Sequence, residues 1–484
     1  MLDSKIFTVA DQVRFAELTG DFNPMHMDPI AARRTPAGAP VVHGIHTLLW
    51  LLDNIVAHDP GIENVASLKV RFRKMGVYLG DRVEARITQR NSAALRAHAC
   101  VDGIEVVSFA ARFGSVAPAP QVPTDPLTEL PIRQSVPCDL TLQDIEGRSG
   151  RVDFATDTAQ MEQAFPNAAR LLGAQRVAAL GCSTYLVGMV VPGLHSVYVG
   201  LDLSFTADAI PAHGLQFAVT AVDPRFRRVQ LHITGGGVSG ILETFSRVPP
   251  VSQPSMSDVA KLVAPGEFDE SIALVVGGSR GLGELTAKLI AAGGGRVIIT
   301  YASGKSDADK LAAEINDWGG KCDVVAYDAR QAADRQLEAL MLPPTHIYYF
   351  ATPTIVRRKA GLCSRERLEE FNDFYVHGFL RLVEAGVRRR PQGIAVFYPS
   401  TVYVQDRPEE MTEYAMSKAA GEVLCADIAR YVRNVRVVTE RLPRLPTDQT
   451  TSVIPVEGVG ALSVMLPIVR KMSHRHFGAK GTDT

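Results

Sequence analysis

The sequence predicts an α+β first half, in which a long apolar helix wrapped by an antiparallel sheet occurs twice, followed by an α/β second half built on a doubly wound parallel sheet. Three observations carry this. A helix-length apolar run followed by alternating strands appears twice before residue 248. From residue 272 the pattern changes to short unbroken apolar runs separated by helical stretches. Two proline-rich stretches separate the parts.

The amphipathic stretch VADQVRFAELTG predicts a helix ending near Gly20. In GDFNPMHMD (20–28), Pro24 restrains Asn23 and is expected to prevent a regular helix. The loop so fixed can aim Asp21 and His26 into one pocket. HGIHTLLWLLDNIV then reads as the long apolar helix, with SLKVRF and DRVEARI as strands. VAPAPQVPTDPLTELP (116–131) carries five prolines and reads as a linker. The second copy runs LGCSTYLVGMVV, GLDLSF, LQFAVTAV and RRVQLHI, and Gly44 pairs with Gly181, Thr47 with Thr184 and Phe72 with Phe205. RVPPVSQPSMSDVA (247–260) is the second linker. The expected domains are 1–118, 131–248 and 268–484.

In the third part, IALVV, RVIIT, CDVVAY, THIYYF, IAVFY and VRVV alternate with helical patterns, as crossover units of a parallel sheet do. LVVGGSRGLGELTA (274–287) places Gly277, Gly281 and Gly283, with Ser279 and Arg280, between a strand and a helix. Glycines there let backbone approach a pyrophosphate, which a helix N-terminus attracts. YAMSK puts Tyr414 and Lys418 four apart, on one helix face. A nearby ammonium stabilises a phenolate, so the tyrosine is expected to exchange a proton near neutral pH. FYPSTVYV offers Ser400 or Thr401, 14 or 13 residues before Tyr414, to hold a carbonyl oxygen.

A carboxyl and an imidazole placed together suit addition of water to a conjugated double bond, one giving a proton to carbon while the other takes one from water. His43-Gly44 opens the long helix, whose free amides can bind an oxygen gaining negative charge. Simple packing at a helix start is the competing account of His43 and His46. The second copy has Leu180 where His43 stands and lacks an Asp-x4-His, so it should not catalyse; His195 and His213 read as loop residues.

FAELTGDFNPMHMDPIAA…VVHGIHT resembles the MaoC-like (R)-specific enoyl-thioester hydratases, which have the hotdog fold, over residues 5–115. The resemblance implies Asp21 and His26 as the catalytic pair, the Gly44 amide as donor to the thioester oxygen, and Asn23 as a loop-shaping residue. It also implies reversible hydration of enoyl thioesters to (R)-3-hydroxyacyl thioesters, on CoA or acyl carrier protein. Double-hotdog relatives use an inactive half to complete the groove.

The glycine turn, Ser400, Tyr414 and Lys418 together resemble the short-chain dehydrogenase/reductases, from residue 271 to about 450. The resemblance implies the Rossmann fold, Tyr414 as general acid, Lys418 lowering its pKa and binding ribose, Ser400 orienting the carbonyl, and Asp328 near the adenine. No acid follows IITY; Ser303 and Lys305 stand there and, with Arg280, suit a 2′-phosphate, so the expected cofactor is NADP(H). The pattern also departs from the family. FATP (350–353) replaces Asn-Asn-Ala-Gly, Tyr375 or His377 stands where the helical Asn belongs, and Pro443-Arg444 replaces Pro-Gly, although Thr447 remains. The portion after residue 450 is short for a substrate lid. A bifunctional hydratase and 3-ketoacyl reductase is the expected whole. The alternatives are a lone hydratase with a degenerate NADP(H)-binding module, or a non-catalytic thioester-binding scaffold. Both resemblances imply a homodimer or larger assembly.

Composition narrows the classes further. The 484 residues are 46 % hydrophobic and 21 % charged with net charge −1, a globular balance with no basic block for nucleic acid. No signal-peptide layout or membrane span is read, and no metal site. Six scattered cysteines without Cys-x-x-Cys fit reduced thiols in a cytoplasm. The C-terminal KMSHRHFGAKGTDT reads as solvated.

Overall fold

The structure, a computed structural model, describes residues 2–73, 76–118, 133–155, 157–207, 213–357, 361–448, 450 and 460–473. Most of the first proline-rich stretch and of the C-terminal tail lies outside the described residues. The chain divides into two compact units, one ending at Pro249 and one starting at Pro250.

In the first unit, β1 (Ser4–Ile6) leads into α1 (Val9–Thr19). A capping box between Thr8 and Asp11 starts α1, and Gly20 ends it at φ 79°, a left-handed conformation that glycine adopts without strain. Pro24 then opens a single helical turn, Pro24–Met27, with Asn23 as its N-cap. This corrects the expected irregular loop: proline has no amide to lose at the first helical position. α2 (Gly44–His58) buries Ile45, Leu48, Leu49 and Leu52, so it must be wrapped. The strands β2 (Val65–Phe72), β3 (Arg82–Arg90), β4 (Ala94–Val101) and β5 (Ile104–Phe113) follow.

The second half of this unit repeats the plan with β6 (Ser149–Asp153), α3 (Ala174–Tyr185), β7 (Ser196–Ala207), β8 (Gly214–Asp223), β9 (Arg228–Gly235) and β10 (Val238–Ser246). A π-helical segment, Leu186–Val190, continues α3. The sheet runs β1-β3-β4-β5-β2-β7-β10-β9-β8-β6. Reading outward from the central β2–β7 pair gives the same strand order on both sides, the topological form of the duplication. That pair sets Leu68 opposite Leu203 and Val70 opposite Leu201. Each half thereby covers what would be the other's open edge strand. Leu48 and Leu52 share one core with Leu180, Leu186, Leu201 and Leu203. This is a double hotdog.

The second unit is a parallel sheet in the order β13-β12-β11-β14-β15-β16. Its strands are β11 (Ile272–Val276), β12 (Arg296–Tyr301), β13 (Lys321–Ala326), β14 (His346–Tyr349), β15 (Ile394–Thr401) and β16 (Val435–Leu442). The helices include α4 (Gly281–Ala292), α5 (Lys305–Asp317), α6 (Phe379–Arg389), α7 (Thr412–Tyr431) and α8 (Ala461–Ser473). Along β11, Ala273 and Val275 enter one core while Leu274 and Val276 enter another, so the strand is apolar throughout because both faces are covered. Strand order reverses between β11 and β14, and ligands of such Rossmann sheets bind at the carboxyl ends there.

Candidate active sites

In the first unit, Asp21, His26 and His43 converge. One ligand-type atom from each lies within 4.8 Å of the others. The α1 cap at Gly20 and the Asn23 cap fix the intervening residues, so Asp21 is 1 % exposed although it carries a carboxyl. Burial raises its pKa, and His26, the Thr184 hydroxyl and the Asn23 amide offset part of that rise. His26 Nδ1 lies 2.7 Å from Val41 O. A carbonyl only accepts, so Nδ1 carries a hydrogen in this bond, and in a neutral ring Nε2 is then the basic nitrogen.

His43 is the N-cap of α2, and its buried ring stacks on His26 with centroids 3.9 Å apart. Gln12 of α1 donates through Nε2 to Val41 O at 3.0 Å and presents Oε1 to His43 Nδ1 at 3.2 Å. Burial holds His43 well below the usual imidazole pKa. Gly44 is the first residue of α2, where backbone amides lack an intrahelical acceptor. His46 is a packing residue: it stacks on Phe15 at 4.3 Å, and burial pushes its pKa down to about 3.

The second half supplies parts that sequence reasoning missed. Thr184 Oγ1 donates to Asp21 Oδ2 at 2.7 Å, and Asn23 Nδ2 donates to Gly188 O at 2.7 Å and Gly193 O at 3.2 Å. A Cβ on Gly188 would stand 2.5 Å from Asp21 Oδ1, so a larger residue there would displace the carboxyl. The one available signal was the alignment of Thr184 with Thr47, which marks duplication and not chemistry. His195 is buried and faces Asp139 at 3.1 Å, while His213 is exposed.

In the second unit the glycine turn joins β11 to α4. Gly277 has φ 76°, and a Cβ there would press on the Phe350 carbonyl carbon at 2.9 Å. A Cβ on Gly283 would meet Gly277 O at 2.3 Å. The turn therefore leaves bare backbone at a helix start. Ser279 is half-buried in it, and Thr447 lies 3.8 Å from where a Gly281 Cβ would be. Arg280 pairs with Asp448 at 2.9 Å and exposed Lys305 with Asp309 at 2.7 Å; Ser303 is exposed beside it. Asp328 is gripped by Arg330 at 2.9 Å, which lowers its pKa.

The strand end β15 separates its two hydroxyls. Ser400 Oγ donates to Glu422 Oε1, and Arg441 binds the same carboxylate at 2.7 Å. Thr401 is the one hydrogen-bonded to Tyr414. Successive strand residues point to opposite faces, so Ser400, the residue expected to orient a carbonyl, is turned away from that phenol and Thr401 stands beside it.

Lys418 Nζ donates to Pro399 O at 2.6 Å and lies 5.9 Å from the centre of the Tyr414 ring. Burial lowers Lys418 to about 7, against smaller opposing effects of Cys425 and Glu422. Burial also pushes Tyr414 up to about 12, with the Thr401 bond opposing it. The expected lowering of the phenol by the ammonium is not seen in this state, where burial is the largest influence on Tyr414. Of the two candidates for the helical Asn position, Tyr375 is buried and bonded to the Thr352 hydroxyl, whereas His377 is exposed.

The fold and these two constellations define a two-part chain, a helix-wrapped antiparallel unit carrying an Asp–His pair and a parallel unit carrying a glycine turn and a Tyr–Lys pair. Residues 3–108 match the MaoC like domain family, and residues 271–457 match the short chain dehydrogenase family. The 3-hydroxybutyryl-CoA dehydratase of Methylorubrum extorquens is 35 % identical over 109 residues, 21 % of this chain and 69 % of that protein. The (R)-specific enoyl-CoA hydratase of Aeromonas caviae is 35 % identical over 85 residues, 17 % of this chain and 63 % of that protein, so the chain spans less than two thirds of its length. Among solved structures, a 3-oxoacyl (acyl-carrier-protein) reductase from Agrobacterium tumefaciens with NADP bound shares 21 % identity at a TM-score of 0.35, covering 38 % of this chain and 73 % of that one. The chain belongs to the MaoC-like dehydratase family through its first unit, and its second unit is a short-chain dehydrogenase domain.

Proposed function

We propose that the chain is a bifunctional enzyme of acyl-thioester metabolism. Its first unit hydrates enoyl thioesters, reversibly, to (R)-3-hydroxyacyl thioesters, and its second reduces 3-ketoacyl thioesters with NADP(H). The observation that carries the reading is the meeting of the Asp21 carboxyl and the His26 ring at the start of α2. In hydration, His26 Nε2 takes a proton from water as the water oxygen bonds to the β-carbon, and Asp21 gives a proton to the α-carbon. The Gly44 amide faces the thioester oxygen as it gains charge. Reversal returns both protons and releases water. The second hotdog domain, 131–248, completes the groove.

In the second unit the bare glycine turn before α4 fits a dinucleotide pyrophosphate, with Thr447 alongside. A bound nicotinamide would supply hydride to the carbonyl carbon. Tyr414 gives the proton to the carbonyl oxygen, Thr401 orients that oxygen, and Lys418 binds ribose. Lys305, Ser303 and Arg280 hold a 2′-phosphate, the two cations exchanging their acidic partners Asp309 and Asp448 for it. The two reactions share the 3-hydroxyacyl species, so one chain raises its local concentration. The carrier is CoA or acyl carrier protein, the compartment the cytoplasm, and the assembly a homodimer or larger. Among the described residues, no helix is long and apolar enough to cross a membrane.

The test supplies crotonyl-CoA alone, then 3-ketoacyl-CoA with NADPH. Loss of enoyl absorbance in the first assay and NADPH oxidation in the second are expected. A second reading keeps the hydratase and makes the other unit a binding module. The Tyr414 pKa of about 12 and the missing Asn favour it. It predicts NADPH binding without oxidation.

A further inference from the structure

The half of the first unit that lacks an Asp–His pair reaches directly into the site of the half that has one. α3, the π-helical segment after it and the turn at Gly193 present three groups to the loop of residues 21–23. Thr184 Oγ1 is 2.7 Å from Asp21 Oδ2. Gly188 O and Gly193 O accept from Asn23 Nδ2. The missing side chain of Gly188 leaves the space in which the carboxyl lies, since a Cβ would stand within 2.5 to 2.8 Å of all three of its heavy atoms beyond Cβ. Asp21 Oδ1 is held from its own side by the Asn23 amide at 3.1 Å. The carboxyl is thus clamped on one oxygen by its own loop and on the other by the opposite repeat.

We infer that Thr184 is a positioning residue for the hydration step, and that the pairless half is retained as the clamp that holds the Asp21 carboxyl in line with the substrate's α-carbon. This rests on the hydratase reading given above. A hydroxyl suits the task because it is both donor and acceptor. While Asp21 is a carboxylate, Thr184 donates to Oδ2. Once that oxygen carries the proton, the hydroxyl rotates and accepts, so one contact survives both states of a group that must give a proton up and regain it. A donor-only group such as an ammonium would favour the charged form alone and oppose reprotonation. Gly188 complements the clamp by excluding every larger residue from the carboxyl's position.

The groups facing Asp21 are His26 from its own loop, His43 from the start of α2, and Thr184 from α3. Arg133 reaches the chain two residues before Asp21, where its Nη1 donates to Thr19 O at 3.1 Å. Thr184→Val keeps shape and loses the hydroxyl, and leaves His26, His43 and Arg133 unaltered.

The experiment compares wild type, Thr184→Val, Thr184→Ser and Gly188→Ala on crotonyl-CoA, with the Asp21 carboxyl followed by 13C NMR of aspartate-labelled protein across pH and assigned with Asp21→Asn. Thr184→Val should lower kcat at least tenfold with KM within twofold, and move the Asp21 titration upward because a donor to the carboxylate is gone. Thr184→Ser should restore kcat to within threefold of wild type. Gly188→Ala should lower kcat at least tenfold and carries the test if Thr184→Val does not fold. Wild-type kcat and an unmoved Asp21 titration in Thr184→Val would overturn the inference, as would a serine variant no better than the valine. A wild-type chain that leaves crotonyl-CoA untouched would instead defeat the hydratase reading, and the carboxyl titration alone would then decide the clamp.

Discussion

The Lys418 ammonium nitrogen lies 4.0 Å from the centre of the Tyr375 ring. Tyr398 and Tyr414 stand further out, at 4.9 and 5.9 Å. A buried cation with one hydrogen bond, to Pro399 O, is poorly solvated, and aromatic faces replace part of that solvation. Tyr375 can do this because the π-helical segment Asp373–Gly378 turns it inward. Tyr375→Phe keeps the ring and loses only the bond to Thr352, whereas Tyr375→Leu loses both. In urea titrations the leucine variant should be about 2 kcal/mol less stable than the phenylalanine one, the scale of a desolvated cation–π contact.

The two hydroxyls at the end of β15 should separate in assay. Thr401→Val should cut 3-ketoacyl reduction by about 100-fold, the usual loss for one donor at a developing oxyanion. Ser400→Ala should leave reduction within a few-fold of wild type but cost about 1.5–3 kcal/mol, because its partner Glu422 is charged. Steady-state rates and denaturation curves for both variants decide the assignment.

Asp21→Asn should slow hydration sharply and stabilise the protein. The folded-state pKa of Asp21 is raised above its unfolded value of 3.8. Between those two values the folded state binds more protons, so stability from this group is full below pH 3.8 and falls as pH rises through the folded pKa. At neutral pH the carboxylate is therefore a net cost, which asparagine removes while still accepting from Thr184. Hydration of crotonyl-CoA should fall by about 100-fold or more. Thermal melts from pH 4 to 8 should show Asp21→Asn losing less stability than wild type as pH rises.

Lys305→Ala should weaken NADPH binding about tenfold, the equivalent of one charge-assisted contact, and leave NADH binding unchanged. Lys305 is exposed and its partner Asp309 lies one turn along α5, so the substitution should not disturb the fold. Arg280→Ala should act in the same direction, with an added stability loss from the broken ion pair with Asp448. Calorimetric titration with both cofactors measures the ratio.

Local pattern determined a great deal. Residue spacing alone marks the apolar helices, the alternating and the unbroken strands, the glycine turn and the Tyr-x3-Lys face, because each depends on neighbours within one or two turns of chain. It also marks the Asp21–His26 loop, whose ends are fixed by Gly20 and Pro24. Only the tertiary structure decided that Thr184 and Gly188, more than 160 residues from Asp21, belong to the same site. It also decided that His43 stacks on His26, that Thr401 and not Ser400 meets Tyr414, and that Tyr375 rather than His377 faces Lys418. Those choices turn on strand phase, helix register and the pairing of β2 with β7. The pKa directions were equally hidden: the sequence shows which charges are near in number, whereas desolvation depends on how completely distant segments exclude water. A buried carboxyl is raised, and a buried phenol and ammonium are pushed apart, chiefly for that reason.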